Sequence, residues 1–305
     1  MNIKRISIEI PSGRKIGARC LNEEWPAGRT SDGTPITVPL LDESGIDVLK
    51  ECITDRVDHK RDCPILVTGD PGLGKSTVES KTCRRVDEDF PVDNVAFRLT
   101  DFEQIFNANP HGDGEKGIYP QVVMDEAGHA MFGPEWLARE QRILAKQLII
   151  SRIKRQIVWF AAPKPKDVNH FLRNRSYVWI HIFEPKEYAQ GYAMVRFAPP
   201  ELQSEYYTQK FWVPKFAFAF IEDTGEWWNE YERRKIAFVN EVSSDIAHGN
   251  TGSNQTVEQR NFWLRSYVKL CNEIHNPLSA RELADRFPDC GLKHAQISEI
   301  LKASN

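Results

Sequence analysis

Neither a CxxC pair nor a cysteine spacing suited to zinc occurs in this 305-residue chain. Its six cysteines are scattered at Cys20, Cys52, Cys63, Cys83, Cys271 and Cys290, which fits reduced, mostly buried thiols in a cytosolic-type compartment. No run approaches the ~20 apolar residues that span a bilayer, and the most apolar stretch, LAKQLIISRIKRQIVWFAA, is broken by charges. The opening MNIKRISIEIPSGRK lacks the apolar centre of a signal peptide, so a protein without a membrane segment is expected. An NKxD guanine motif is also missing, which argues against a GTPase. Large net charge is absent too: the formal value of −3 neither favours nor excludes nucleic acid, and charge must be read by segment.

What is present is CPILVTGDPGLGKST, Cys63 to Thr77. Ile65, Leu66, Val67 and the methyl-bearing Thr68 form a short buried-type strand, and the loop Gly69, Asp70, Pro71, Gly72, Leu73, Gly74, Lys75, Ser76, Thr77 follows without a gap. Gly69, Gly74, Lys75 and Ser76 satisfy G-x-x-x-x-G-K-[ST], the phosphate-binding P-loop. Glycines let backbone N–H groups turn inward around phosphate oxygens, and a helix starting near Lys75 points its positive dipole end at them. Lys75 is expected to reach the β- and γ-phosphates of ATP, and Ser76 to bind Mg²⁺.

A second motif lies about 50 residues downstream. In IYPQVVMDEAGHAMF the run Val122, Val123, Met124 reads as a short buried strand ending in Asp125 and Glu126. An acidic residue at such a strand end orients Mg²⁺ and its water shell, which gives Asp125 that role. Glu126, the second carboxylate, can polarise the attacking water and is the candidate catalytic residue beside Lys75.

Around these motifs the order of elements is legible. LDESGIDVLKECITDRVD carries Ile46, Leu49, Ile53 and Val57 at helical spacing. A helix after the loop is expected to run until Pro91 stops it, followed by a strand over Asn94–Thr100 and a short helix capped by Thr100 or Asp101. The segment PEWLARE to Lys154 reads as one long helix, and Gln156–Pro163 as the next strand. Residues 175–185 and 191–200 read as an antiparallel pair. Phe216, Phe218 and Phe220 alternate as on a strand, and Trp227, Trp228 and Tyr231 are placed to pack a helix onto the domain.

Between Arg139 and Arg175 ten basic residues face two acidic ones, a net of +8 in a chain of net −3. One-sided charge over that length suggests either contact with DNA phosphates or arginines reaching a neighbouring subunit's nucleotide. Four divisions are expected: residues 1–62, a strand and helix region packed on the core; 63–242, the ATPase domain; 243–259, a polar Ser-, Asn- and Gly-rich linker; and 260–305, a helical unit. In the last, Ser279 and Glu282 stand at capping-box spacing and a Gly-containing turn precedes a third helix, the layout of a helix-turn-helix or winged-helix module. A three-helix lid or oligomerisation domain has the same pattern.

This order resembles the P-loop ATPases with an additional strand between the loop strand and the acidic strand, the division that holds RecA-like, AAA+ and HerA/FtsK-like proteins. Within it, GDPGLGKS, VVMDEAGHAMF and SRIKRQIVWFAAPKPKDVNHFLRNRSYVWI look most like the HerA/FtsK branch, with Zot-like and genome-packaging ATPases closest in flavour; the resemblance covers roughly residues 60–200. It implies an α/β fold, a mostly parallel central sheet with an antiparallel hairpin, phosphate and Mg²⁺ bound by Lys75 and Ser76, and an arginine finger drawn from Arg152, Arg155, Arg173 and Arg175. It also implies a ring of five or six copies in the cytoplasm, or the host cytoplasm for a viral element, moving DNA in packaging, transfer or replication. The branch usually ends its fourth strand in a polar sensor, whereas here that strand ends Trp159-Phe160-Ala161-Ala162. The alternative is a nucleotide-gated DNA-binding switch such as an AAA+ replication initiator, against which the hairpin at 175–200 counts.

Overall fold

Strand β4, Cys63–Thr68, is buried at every residue and sorts the core into two layers. Ile65 and Val67 point to one face of the sheet, where they join Ile46, Leu49 and Ile53 of helix α1 (Ser44–Asp58) and Val78 and Cys83 of helix α2 (Lys75–Val86). Leu66 points to the other face, with Phe102 and Phe106 of helix α3 (Leu99–Ala108). A strand covered on both faces is necessarily a continuous apolar run, which is how CPILVT reads. The computed structural model describes residues 3–30, 33–125, 140–165, 168, 170–184, 191–198 and 212–247.

Ten strands form one sheet among these residues, in the order β1-β2-β3-β10-β9-β8-β4-β7-β6-β5. Its parallel half comprises β5 (Val95–Ala96), β6 (Gln121–Met124), β7 (Ile157–Ala162), β4 and β8 (Val178–Phe183). Strand β7 pairs with β4 on one side and β6 on the other, so one strand separates the loop strand from the acidic strand. Beyond β8 the sheet turns antiparallel through β9 (Gly191–Phe197) to β10 (Val213–Phe220), which is the expected hairpin extended by one strand.

The flanking regions add strands to the sheet and bring one correction. In the N-terminal segment, β1 (Lys4–Glu9), β2 (Lys15–Arg29) and β3 (Pro35–Leu41) continue the same sheet, with β3 parallel to β10. The stretch NEEWPAGR, rich in turn-forming residues, is strand, because β2 absorbs Pro26 and Gly28 at register shifts against β3. The strand expected over Asn94–Thr100 is only Val95–Ala96, and α3 already starts at Leu99 after an extended Arg98, with no side-chain cap from Thr100 or Asp101. There Leu99, Phe102 and Phe106 recur at helical spacing and bury against the sheet, and that burial outweighs the local strand preference of an edge segment.

Helix α2 ends at Val86, before Pro91, with Asp87 extended at its C-cap. The long basic helix is described as α4, Glu140–Lys154, and a short α5, His170–Arg175, links β7 to β8. Helix α6, Glu226–Ala247, runs into the segment read as linker. The chain divides into two compact units, Met1–Lys235 and Ile236–Asn305. The expected helices of 260–305, with Ser279 and Glu282, lie outside the described residues. No described helix is long and apolar enough to cross a membrane. Cys20, Cys52, Cys63 and Cys83 are buried free thiols, and burial pushes the Cys63 thiol up to about 12, which makes it a poor nucleophile.

Candidate functional site

Because β4, β7 and β6 run parallel, the segments that leave β4 and β6 emerge at the same edge of the sheet, where open α/β sheets hold their ligands. The loop 69–74 leaves β4 and delivers Lys75 as the first residue of α2. Gly74 caps that helix in the left-handed region at φ 90°, a conformation open to glycine at little cost. Gly69 lies against β8: a Cβ there would come within 2.9 Å of Ile182 Cβ and of its carbonyl oxygen. The Gly69 N–H donates to Pro163 O at 3.1 Å, so the end of β7 pins the start of the loop. That pinning, with Ala161 and Ala162 fully buried, is what the apolar end of β7 does.

Lys75 folds back over the loop, its ammonium donating to Gly69 O at 2.8 Å and Asp70 O at 3.0 Å. Ser76 Oγ points across the end of β7 to Asp125, donating to Oδ2 at 3.2 Å. Asp125 is buried, and its N–H donates to Ala96 O at 3.0 Å, which fixes it one residue beyond β6. A hydroxyl and a buried carboxylate held this close are hard oxygen donors of the kind Mg²⁺ takes, with substrate phosphates and water supplying the remaining ligands. The donor set therefore fits the metal. No group of three or more His, Cys, Asp or Glu is placed to hold a metal by itself among the described residues.

Two further side chains enter the site from α6. Tyr231 OH makes a short hydrogen bond to Asp125 Oδ2. Lys235 Nζ donates to Asp125 Oδ2 at 3.0 Å, to Ser76 Oγ at 3.3 Å and to Tyr231 OH at 3.2 Å. Burial, followed by the charge of Asp125, pushes the Tyr231 hydroxyl well above its ordinary range, so it remains a proton donor. The helix is anchored there: Asp223, just before it, accepts from Ser80 Oγ at 2.6 Å and pairs with Arg84, and Trp227 Nε1 donates to Phe90 O at 2.8 Å. The sequence places Tyr231 in a packing cluster, a role it also fills by stacking on Trp227. Lys235 carries no motif. Its one signal is the four-residue step from Tyr231, which puts both on the same helix face.

The contacts described for the arginines expected as fingers lie elsewhere than on the loop of their own chain. Arg175 pairs with buried Asp62 at 3.0 Å, and Asp62 also accepts from Ser151 Oγ at 2.8 Å. Arg155 turns with φ 54° between α4 and β7, and its Nη1 lies 3.4 Å from Gly112 O. Both stand at the amino edge of the parallel strands, about 20 Å from the loop given the six-residue length of β4. Arg173 donates to Pro165 O at 3.3 Å, and Arg152 is exposed in the last turn of α4. Within the basic stretch Lys154 is likewise satisfied, by the carbonyls of Phe106, Asn107 and Asn109. Three of the ten basic residues, Lys154, Arg155 and Arg175, thus close the amino edge of the sheet. Glu126 lies outside the described residues.

His181 of β8 lies beside the loop strand, with Nδ1 2.9 Å from Thr68 Oγ1 and Trp179 Nε1 donating to the same hydroxyl at 2.8 Å. Burial, then the charge of Arg196, lowers its pKa below 6.5, with Asp70 opposing weakly. The unfolded chain therefore takes up a proton near pH 6.5 before the folded one does, so stability falls as pH drops below that value and levels off beneath the folded pKa. Thermal unfolding of wild type between pH 7.5 and 5 is expected to show this slope, and His181→Gln to flatten it.

No protein-family model matches the chain, and no curated protein matches it. Among solved structures it is similar to the crystal structure of the N-terminal domain of zonular occludens toxin from Neisseria meningitidis. The identity is 16%, with 54% of this chain and 96% of that one covered and a TM-score of 0.32. At that level of superposition the likeness assigns the chain to no family.

Proposed function

We propose that the chain binds Mg²⁺·ATP at Gly69–Thr77 and hydrolyses it, and that it does so as a ring-forming motor acting on DNA. The observation that carries the nucleotide reading is the meeting of Ser76 Oγ and Asp125 at 3.2 Å, beside the N-terminus of α2, across the end of the single strand between β4 and β6. The first N–H groups of α2 and the loop amides bind phosphate oxygens. Lys75 exchanges the carbonyls of Gly69 and Asp70 for the β- and γ-phosphates, a small movement because its ammonium already spans the loop. Ser76 and Asp125 would hold Mg²⁺, which would supply charge neutralisation at the phosphate oxygens. Glu126 follows Asp125 in the chain and orients and deprotonates the attacking water. An arginine from a neighbouring copy completes the charge stabilisation; of the four candidates Arg152 is the exposed one, while Arg175 would have to leave Asp62.

The DNA part of the proposal is supported by the exposed members of the basic stretch, Lys146, Arg152 and Lys164. Its test pairs two measurements on the full chain. ATP hydrolysis is expected to rise when DNA is added and to lose that rise with increasing salt, and the particle mass with ATP and DNA is expected to correspond to five or six copies. A monomer whose hydrolysis ignores DNA would overturn the motor.

A further inference from the structure

The space between Ser76 Oγ and Asp125 already holds a positive charge. Lys235 Nζ lies 3.3 Å from the first and 3.0 Å from the second, and Tyr231 OH closes the group by bonding both Asp125 and Lys235. A magnesium ion sits about 2.1 Å from each oxygen ligand. Placed on Ser76 Oγ and facing Asp125, it would fall within contact distance of the ammonium, and two cations repel strongly at that separation beside a buried carboxylate. The lysine has somewhere to go, since its side chain remains 27% exposed whereas that of Asp125 is 1% exposed.

We infer that Lys235 is a tethered cation that occupies the metal position in the nucleotide-free protein, and that Mg²⁺·nucleotide binds by displacing it. This rests on the nucleotide reading above. With the ammonium in place, Asp125 is neutralised and Ser76 is held toward it, so the cluster is preorganised without a metal. Binding of the metal must then work against the Lys235–Asp125 ion pair, and the apparent affinity is reduced by the fraction of molecules in which the pair is open. Because Lys235 sits on α6, four residues after Tyr231 and twelve after Asp223, occupancy of the site is felt by that helix.

The test uses the full chain, a fluorescent ATP analogue at fixed concentration and Mg²⁺ as the variable. In Lys235→Gln the Mg²⁺ concentration giving half-maximal binding is expected to fall about tenfold relative to wild type, the change produced when the competing state was populated about nine times in ten. An equal or higher Mg²⁺ requirement would overturn displacement; a higher one would assign Lys235 to the bound phosphates instead. A second measurement needs no variant: the rate at which the Lys235 amine of wild type is reductively methylated, read by mass spectrometry. It is expected to rise with Mg²⁺ plus analogue and not with analogue in EDTA, and protection or no change would overturn the inference. Wild type that binds no analogue under any condition would overturn the nucleotide reading as well, so the two failures are distinct.

Discussion

Replacing Lys75 with alanine is expected to lower ATP turnover by about 100- to 1,000-fold, the range seen when one preorganised donor to developing charge is removed. The expectation follows from where the side chain is tethered. Its ammonium spans Gly69 O and Asp70 O at 2.8 and 3.0 Å, both in the loop that would surround the phosphates, so it can meet the β- and γ-oxygens without moving its helix. The fold should survive the change, because Lys75 is partly exposed at the first position of α2. Turnover by phosphate release, alongside an unchanged unfolding temperature, separates this loss from a folding defect. Turnover within threefold of wild type would remove Lys75 from the chemistry.

The largest effect on stability is expected from Trp159→Ala, at about 3–5 kcal/mol. Trp159 is fully buried at the third residue of β7, the strand that separates the loop strand from the acidic one. Its ring packs with Ile65, Val78 and Val123, and Nε1 lies 3.4 Å from Gln121 Oε1. Gln121 in turn donates from Nε2 to Cys83 O at 2.9 Å, linking β6 to α2. Truncation therefore opens a cavity and leaves the amide oxygen of a buried glutamine short of a donor, two costs that add. Chemical denaturation reads the change directly, and Trp159→Phe is expected to lose much less because it keeps most of the ring volume. A loss below about 1 kcal/mol for the alanine variant would mean that the site collapses around the hole.

The parts of the fold that were legible in the sequence are those in which local pattern and burial agree. Ile65, Leu66 and Val67 before the glycines, the helical spacing of Ile46, Leu49 and Ile53, and the alternation of Phe216, Phe218 and Phe220 each describe a surface that the structure buries. Legibility failed where tertiary contacts decide. Pro26 and Gly28 signal a turn, yet cross-strand pairing with Thr37 and Ile36 carries the chain through them. Lys154 and Arg175 count as basic surface in the sequence, while the structure spends them on carbonyls and on buried Asp62. The site shows the same division. Lys75, Ser76 and Asp125 announce themselves by spacing, whereas Lys235 is 110 residues from Asp125 and meets it only because Asp223, Trp227 and Tyr231 dock the start of α6.

That docking bears on regulation. Tyr231 and Lys235 tie the acidic residue at the end of β6 to the start of α6, so displacement of Lys235 from Asp125 would be felt first in that turn of the helix. At the apolar end of β7, Pro163 O holds the loop through Gly69 N–H, and the polar contacts of Asp125 come from the helix.

The most direct test of the nucleotide site is calorimetric titration of the full chain with a slowly hydrolysed ATP analogue in Mg²⁺. One saturable site per chain, weakened in EDTA and abolished by Lys75→Ala, is the predicted result. Heat no different from dilution for wild type, or binding that Lys75→Ala leaves intact, would contradict it.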